Sequence, residues 1–461
     1  MALKLPVRYQ TQLKYLLPQF PSLQHCRAIH VPPSGPRRSI TSASWDVKPP
    51  RRPASHDDNH NNHPRRDLEK MPMVSLLRGI VMYAAMSRPY LMDTASAMVR
   101  KNIHLLTGNP VLRFFLDKIF YAHFCAGATE AEIKRTVGGL RKLGFKGVII
   151  NYAREVDLST TQTVQASTAE RLAAHQAHVA EWLDGSLRGV KYSNAGDYVA
   201  LKFTGAGAEC VRMLEAGEAP DAVMTQALDE ICETAKVRGV RLLFDAEHHV
   251  QQKGIDAWTM DLMEKYNKSG DLVVYNTYQM YLKESAATLA KHLERAQSAN
   301  FPLGVKLVRG AYLDSDPRHL IYDTKEETDR AYNDAAVMLA TQHIRNPSGP
   351  KVGIVLATHN AESVNLMRDL RQEQVQNGMP LAEVDYAQLM GMADELSLSL
   401  TQKRPDVDEE NIQVFKYIVW GTHEECMMYL LRRADENRDA VERSLQSRRA
   451  LWSELRQRLF L

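Results

Sequence analysis

The 461-residue chain contains no run approaching the ~18–20 apolar residues that a membrane-spanning helix requires, so no such helix is expected. It carries little net charge: 58 basic against 55 acidic side chains, +3 overall. That balance gives no electrostatic reason to expect nucleic acid as a partner. Its five cysteines, Cys26, Cys125, Cys210, Cys232 and Cys426, lie far apart without a C-x-x-C pair. A disulfide framework and a zinc ribbon are thereby excluded, and a reducing compartment is indicated. Also missing are a Walker A loop, a G-x-S-x-G elbow and an H-E-x-x-H pair. Gly205 and Gly207 begin a G-x-G-x-x-G pattern, but Cys210 stands at its third glycine, which suits a plain turn after a strand.

Acidic residues are absent from the first 45 positions; Asp46 is the first. Residues 1 to 50 hold seven basic side chains and one acid, interleaved with Leu3, Leu5, Leu13, Leu16 and Leu17. An acid-poor, basic, amphipathic leader is the pattern of a mitochondrial presequence. Residues 51–66, rich in Pro, Arg, His and Asn, read as a linker.

What is present fits a soluble globular core: 44% hydrophobic and 25% charged residues. From 67 to 143 the apolar spacing is helical, with Leu76, Leu77, Ile80, Val81 and Ala84 marking one stripe. The period then changes. Eight short β-branched or aromatic runs alternate with helical stretches, beginning near Gly147, Tyr198, Val240, Leu272, Gly304, Val352, Val384 and Val414. Continuous apolar runs separated by helices read as parallel strands buried on both faces. Eight such units predict an α/β protein, a (β/α)8 TIM-like barrel over residues 144–437. An open doubly wound sheet is the competing architecture. Residues 438–461 read as a C-terminal amphipathic helix.

In a barrel, chemistry sits where strands end. Polar groups fall there on five strands: Lys202 and Thr204; Asp245 and Glu247; Asn276 and Gln279; Lys306, Arg309 and Tyr312; Thr358, His359 and Asn360. Charged groups inside strands are costly unless paired or facing a cavity, so a ligand site is expected. Three narrower readings stay open. Asp245 and Glu247 can simply pair with Lys202 and Lys306. Asp245, Glu247, His248, His249 and His359 can be read as a metal cluster, although neighbouring histidines rarely bind one ion, and no metal is expected. Lys202 or Lys306 can form a Schiff base, as in aldolase-type barrels. Thr422 and Glu425 predict a capping box that starts a last helix near His423. Arg432 and Arg433 on that helix make either a solvated basic pair or a carboxylate clamp.

The strings FDAEHH at Phe244, VVYNTYQMYLK at Val273, KLVRGAYLDSD at Lys306, ATHN at Ala357, QLMGMAD at Gln388 and YLLRRADEN at Tyr429 occur in that order. Together, over Phe120 to Asn437, they resemble the proline dehydrogenases of fungal mitochondria. The resemblance implies a distorted barrel with its last helix over the mouth. It also implies bound FAD and oxidation of L-proline to Δ1-pyrroline-5-carboxylate, with hydride passing from C5 to flavin N5. Ubiquinone as acceptor and peripheral attachment to the inner mitochondrial membrane, on the matrix side, follow from it as well. Residue by residue, it implies that Lys202, Arg432 and Arg433 hold the substrate carboxylate. Tyr312, Leu389 and Tyr417 would wall the ring, with Asp245 in the pocket and Lys306 near N5; Lys306 and Asp245 are the catalytic pair. Cofactor contacts are implied for Asn276, Gln279, Lys306, Arg309, Gly310, Ala311, Thr358, His359, Asn360, Arg433 and Glu436.

Overall fold

Eight short strands close on one another in the computed structural model, which describes residues 67–86, 89–153, 168–268, 270–402, 412–436 and 441–460. The leader and linker over residues 1–66 lie outside these. The helical segment comprises α1 (Met73–Met86), α2 (Pro89–Gly108) and α3 (Pro110–Leu116), then β1 (Cys125–Gly127) and α4 (Glu130–Lys142). The barrel follows. β2 (Gly147–Tyr152) leads to α5 (Thr168–Tyr192), and β3 (Tyr198–Leu201) to α6 (Ala208–Ala216) and α7 (Ala222–Arg238). β4 (Arg241–Phe244) leads to α8 (His249–Tyr266), β5 (Val274–Gln279) to α9 (Ser285–Ser298), and β6 (Leu303–Val308) to α10 (Lys325–Ala340). β7 (Val352–Ala357) leads to α11 (Ala361–Gln376), β8 (Glu383–Leu389) to α12 (Asp394–Thr401), and β9 (Gln413–Trp420) to α13 (His423–Glu436). The helix α14 (Val441–Phe460) ends the described chain.

All strand pairs are parallel, and β9 pairs with β8 on one side and β2 on the other, so the sheet closes. The barrel expectation holds over the open sheet. β1 was not expected. Its three residues pair with the far end of β9, at Val419 and Trp420, beyond the stretch that β8 covers.

Alternate strand residues point inward. Ile149, Tyr198, Leu243, Tyr275, Val355 and Phe415 belong to one buried interior cluster. Their neighbours pack outward against the helices. Tyr275 fits inside because β6 and β7 offer glycines: a Cβ on Gly304 would lie 2.6 Å from the Tyr275 ring, and one on Gly353 2.7 Å from its hydroxyl.

The amino-terminal end of the barrel is closed by an ion-pair network. Arg241 donates to Asp385 Oδ2 at 3.1 Å, Glu383 Oε1 at 3.0 Å and the Gly196 carbonyl at 2.7 Å. Its guanidinium lies 3.8 Å from the Tyr198 ring centroid, and Tyr198 donates to the same Asp385 oxygen at 2.6 Å.

The opposite end is covered by α13. Its start follows the expected box: Glu425 Oε2 accepts from Thr422 N at 2.7 Å and Thr422 Oγ1 accepts from Glu425 N at 3.3 Å. Cys426 and Tyr429 of α13 join the interior cluster, which lays the helix across the mouth. The buried stripe of α1 differs from the expected one. Leu76 and Ile80 are buried, but Leu77 and Val81 are about half exposed, and Tyr83 completes the buried stripe instead. No described helix is long and apolar enough to cross a membrane.

Candidate active site

The floor of the mouth is built by three residues from three strands. Asp245 directly follows β4, Lys306 lies in β6 and Tyr417 in β9; each is at most 9% exposed. Lys306 Nζ donates to Asp245 Oδ1 at 2.5 Å, and Tyr417 Oη donates to Asp245 Oδ2 at 2.8 Å. The ammonium also stands 5.2 Å from the centroid of the Tyr417 ring. The expected strand ion pair therefore exists, between Asp245 and Lys306. It directs both groups at the barrel mouth, where a carboxylate keeps further lone pairs and an ammonium further hydrogens. For Lys306 the aldolase-type reading finds no support here, because its amine is committed to Asp245.

Leu389 stands opposite Tyr417 in the β8–β9 register, so the two expected ring-wall residues are neighbours. Lys202 directly follows β3 and is partly buried. The turn behind it is fixed by Glu247, whose Oε1 accepts from Thr204 N at 3.1 Å and whose Oε2 accepts from the Thr204 hydroxyl. Glu247 thus braces the loop that carries Lys202.

Gln279 ends β5 and spans two loops. Its Nε2 donates to the Glu247 carbonyl at 3.0 Å, and its Oε1 accepts from Ala311 N at 3.1 Å. Asn276 behaves differently, and its expected cofactor contact is corrected. Tyr275 points inward, so Asn276, one residue on, points outward. Its Nδ2 donates to Asp256 Oδ1 on α8 at 2.8 Å, and it is fully buried between strand and helix. Burial raises Asp256 to about 6. Thr277 is an inward polar residue of β5, beside Lys306 in the register; its buried Oγ1 has no hydrogen-bond partner among the described residues.

Arg309 braces the next two units. It donates to Asp329 Oδ1 at 2.6 Å, Thr358 Oγ1 at 2.7 Å and Ser363 Oγ at 2.8 Å. Asn360 caps α11 by accepting from Ser363 N at 3.1 Å, and His359 Nε2 accepts from Leu389 N at 3.1 Å. The second contact requires an unprotonated Nε2. The turn Thr358–Asn360 thus presents a helix N-terminus at the mouth, where the macrodipole favours an anion.

The loop after β6 crosses Tyr281. Gly310 has φ +155° and lies flat on that ring; a Cβ there would stand 2.5 Å from it. The loop ends at the buried Asp316, an anchor the sequence reading missed. Its Oδ2 accepts from Tyr281 Oη at 2.6 Å, and its Oδ1 accepts from His249 N at 3.2 Å. Between Gly310 and Asp316 stands Tyr312. Lys416, also unread from sequence, holds the following loop by donating to Asp394 Oδ1 at 2.8 Å and the Met392 carbonyl at 2.9 Å.

The residues of the suggested metal cluster are dispersed: Asp245 to Lys306, Glu247 to Thr204, His249 to Asp316 and His359 to the Leu389 amide. Among the described residues, no group of three or more His, Cys, Asp or Glu is placed to hold a metal ion. Arg432, Arg433 and Glu436 belong to α13, the helix across the mouth. Their side chains lie outside the described ones.

Residues 133–446 match the family model described as proline dehydrogenase. A probable mitochondrial proline dehydrogenase of Schizosaccharomyces pombe is 30% identical over 86% of this chain and 90% of its own. A mitochondrial proline dehydrogenase 1 of Arabidopsis thaliana is 27% identical over 88% and 87%. A hydroxyproline dehydrogenase of Xenopus laevis is 27% identical over 83% and 87%. Among solved structures, proline utilization A from Bdellovibrio bacteriovorus, inactivated by N-propargylglycine, superposes with a TM-score of 0.58 at 16% identity. The match covers 79% of this chain and 41% of that one, and it shows the shared fold.

Proposed function

Since the chain belongs to the proline dehydrogenase family and oxidises proline, we propose that it is an FAD-dependent enzyme that converts L-proline to Δ1-pyrroline-5-carboxylate and passes the electrons to ubiquinone. The observation that carries this reading is the Asp245 carboxylate held between Lys306 and Tyr417 at the barrel mouth.

The residues present fit a flavin dinucleotide. Thr277 offers an unpartnered buried hydroxyl on the inward face. The start of α11, braced by Arg309, offers a helix N-terminus for an anionic group. Gln279, Lys306, Arg309, Gly310, Ala311, Thr358, His359, Asn360, Arg433 and Glu436 are the residues we assign to holding it. When bound, FAD supplies the acceptor for the two electrons of proline oxidation.

The chain's own residues orient the substrate. Lys202, Arg432 and Arg433 hold the proline carboxylate through charge-assisted hydrogen bonds. Tyr312, Leu389 and Tyr417 confine the ring, so that C5 is presented in one orientation. Asp245 keeps unused acceptor sites after binding Lys306 and Tyr417, and these suit the substrate N–H groups. The nitrogen proton must leave as the C=N bond forms, and water takes it. The positive charge of Lys306 favours an anion developing beside it.

The basic leader and the mitochondrial relatives support a mitochondrial location; peripheral attachment to the inner membrane on the matrix side is proposed with it. A reporter fused to residues 1–50 is expected to enter mitochondria; retention in the cytosol contradicts this. The activity itself is tested with L-proline and a soluble ubiquinone analogue, trapping the cyclic imine with o-aminobenzaldehyde. Coloured adduct forming in step with quinone reduction is the expected result. Absence of adduct, with borohydride instead fixing substrate to a lysine, overturns the reading.

A further inference from the structure

His248 lies at the rim of the mouth, between the end of β4 and the start of α8, with a side chain 46% exposed. Its ring packs on that of Tyr312, with centroids 4.2 Å apart and planes 50° apart. Its Nδ1 is 3.2 Å from Ser315 Oγ and 3.8 Å from Asp316 Oδ1. Tyr312 and Ser315 belong to one turn, in which Ser315 N and Asp316 N both donate to the Tyr312 carbonyl, at 3.1 and 2.8 Å. One end of that turn is fixed: Asp316 is buried and holds Tyr281 and His249. Tyr312 itself is partly exposed. His248 is an aromatic partner of that ring.

We propose that His248 is a positioning residue for Tyr312, setting the pose in which that ring closes over the substrate. The inference rests on the assignment of Tyr312 as a wall of the proline pocket. His248 acts from two sides at once. Its ring face limits rotation of the Tyr312 side chain, and its Nδ1 ties the turn through Ser315. Aromatic pairs prefer offset or tilted contacts near this separation. Burial, with the charges of Lys202 and His249, holds the His248 imidazole below its ordinary range, while Asp316 pulls the other way. A neutral ring is therefore the form that faces Tyr312 above the usual imidazole range.

The test compares steady-state proline kinetics in the full-length holoenzyme for His248→Ala, His248→Phe and Tyr312→Ala. His248→Ala is expected to raise the proline KM about two- to tenfold, the range an aromatic contact commands, with kcat nearly unchanged. His248→Phe keeps the ring and should bring KM back to within about twofold of the starting enzyme, the low end of that same range. If Tyr312→Ala raises KM and His248→Ala does not, the positioning role is overturned while the pocket assignment stands. If His248→Ala lowers kcat and the phenylalanine variant does not restore it, His248 is merely structural and the proposal is again overturned. If neither alanine variant changes KM, the pocket assignment of Tyr312 fails, and the inference with it.

Discussion

Tyr417 donates its phenol hydroxyl to the Asp245 carboxylate at 2.8 Å, on the oxygen opposite the one that Lys306 occupies. The ring is thus tied to the charged pair as well as packed in strand β9. Tyr417→Ser should lower kcat/KM for L-proline by about 10–200-fold, the cost of removing apolar contacts in a pocket. The same change should narrow the gap between proline and 4-hydroxyproline, since space for one ring hydroxyl opens. Tyr417→Phe keeps the volume and should keep the preference. Measuring kcat/KM for both substrates decides this, and an unchanged ratio in the serine variant contradicts a role in selectivity.

Arg432→Met and Arg433→Met each remove one arm of the proposed carboxylate clamp. A charge-assisted hydrogen bond is worth ~1.5–3 kcal/mol, so the proline KM should rise about 10- to 100-fold. A KM near that of the parent enzyme in both variants would reduce the pair to a solvated surface feature.

The closed end of the barrel should govern stability. Arg241 is paired with Asp385, whose side chain is 1% exposed. Arg241→Met leaves a buried carboxylate uncompensated and should destabilise the fold by about 3–5 kcal/mol in urea unfolding. Adding Asp385→Asn should recover part of that loss. Equal stability of the single and double variants would contradict the ion-pair account.

Asp256 gives a pH dependence whose sign can be worked out. Burial lifts it from its ordinary 3.8 to about 6. Between those values the folded chain keeps a proton that the unfolded chain has released. Stability therefore falls as pH rises through that window. A shift of about two units corresponds to ~3 kcal/mol. Asp256→Asn retains an acceptor for Gln252 and Asn276, and should gain up to about that amount above pH 7 with little gain at pH 4. Asp334, His123 and His292 also titrate near this range, so the comparison is between variant and parent at each pH. An equal difference in Tm at both ends of the window would rule Asp256 out as its source.

The barrel was legible because parallel strands buried on both faces leave continuous apolar runs, and the last helix because Thr422 and Glu425 form a capping box. Polar residues at strand ends were less reliable guides. Asn276 has a ligand-binding residue type, yet the two-residue period turns it away from the barrel, and Thr277 takes the inward place. β1 was hidden because Cys-Ala-Gly carries no strand pattern. The Asp316 anchor joins positions 35 and 67 residues apart, which only tertiary packing brings together. Leu77 and Val81 show that an apolar helical spacing marks a face without saying whether anything covers it.

A flavin held at the mouth of this barrel and reduced by proline is what the proposed function requires. Its most direct test is the visible absorption spectrum of the purified protein, recorded without oxygen before and after L-proline is added. The expected result is the bands of an oxidised flavin, bleached by L-proline in the parent protein and far less readily in Arg432→Met at the same proline concentration. A colourless protein that oxidises proline, or flavin bands that proline leaves unchanged, would contradict it.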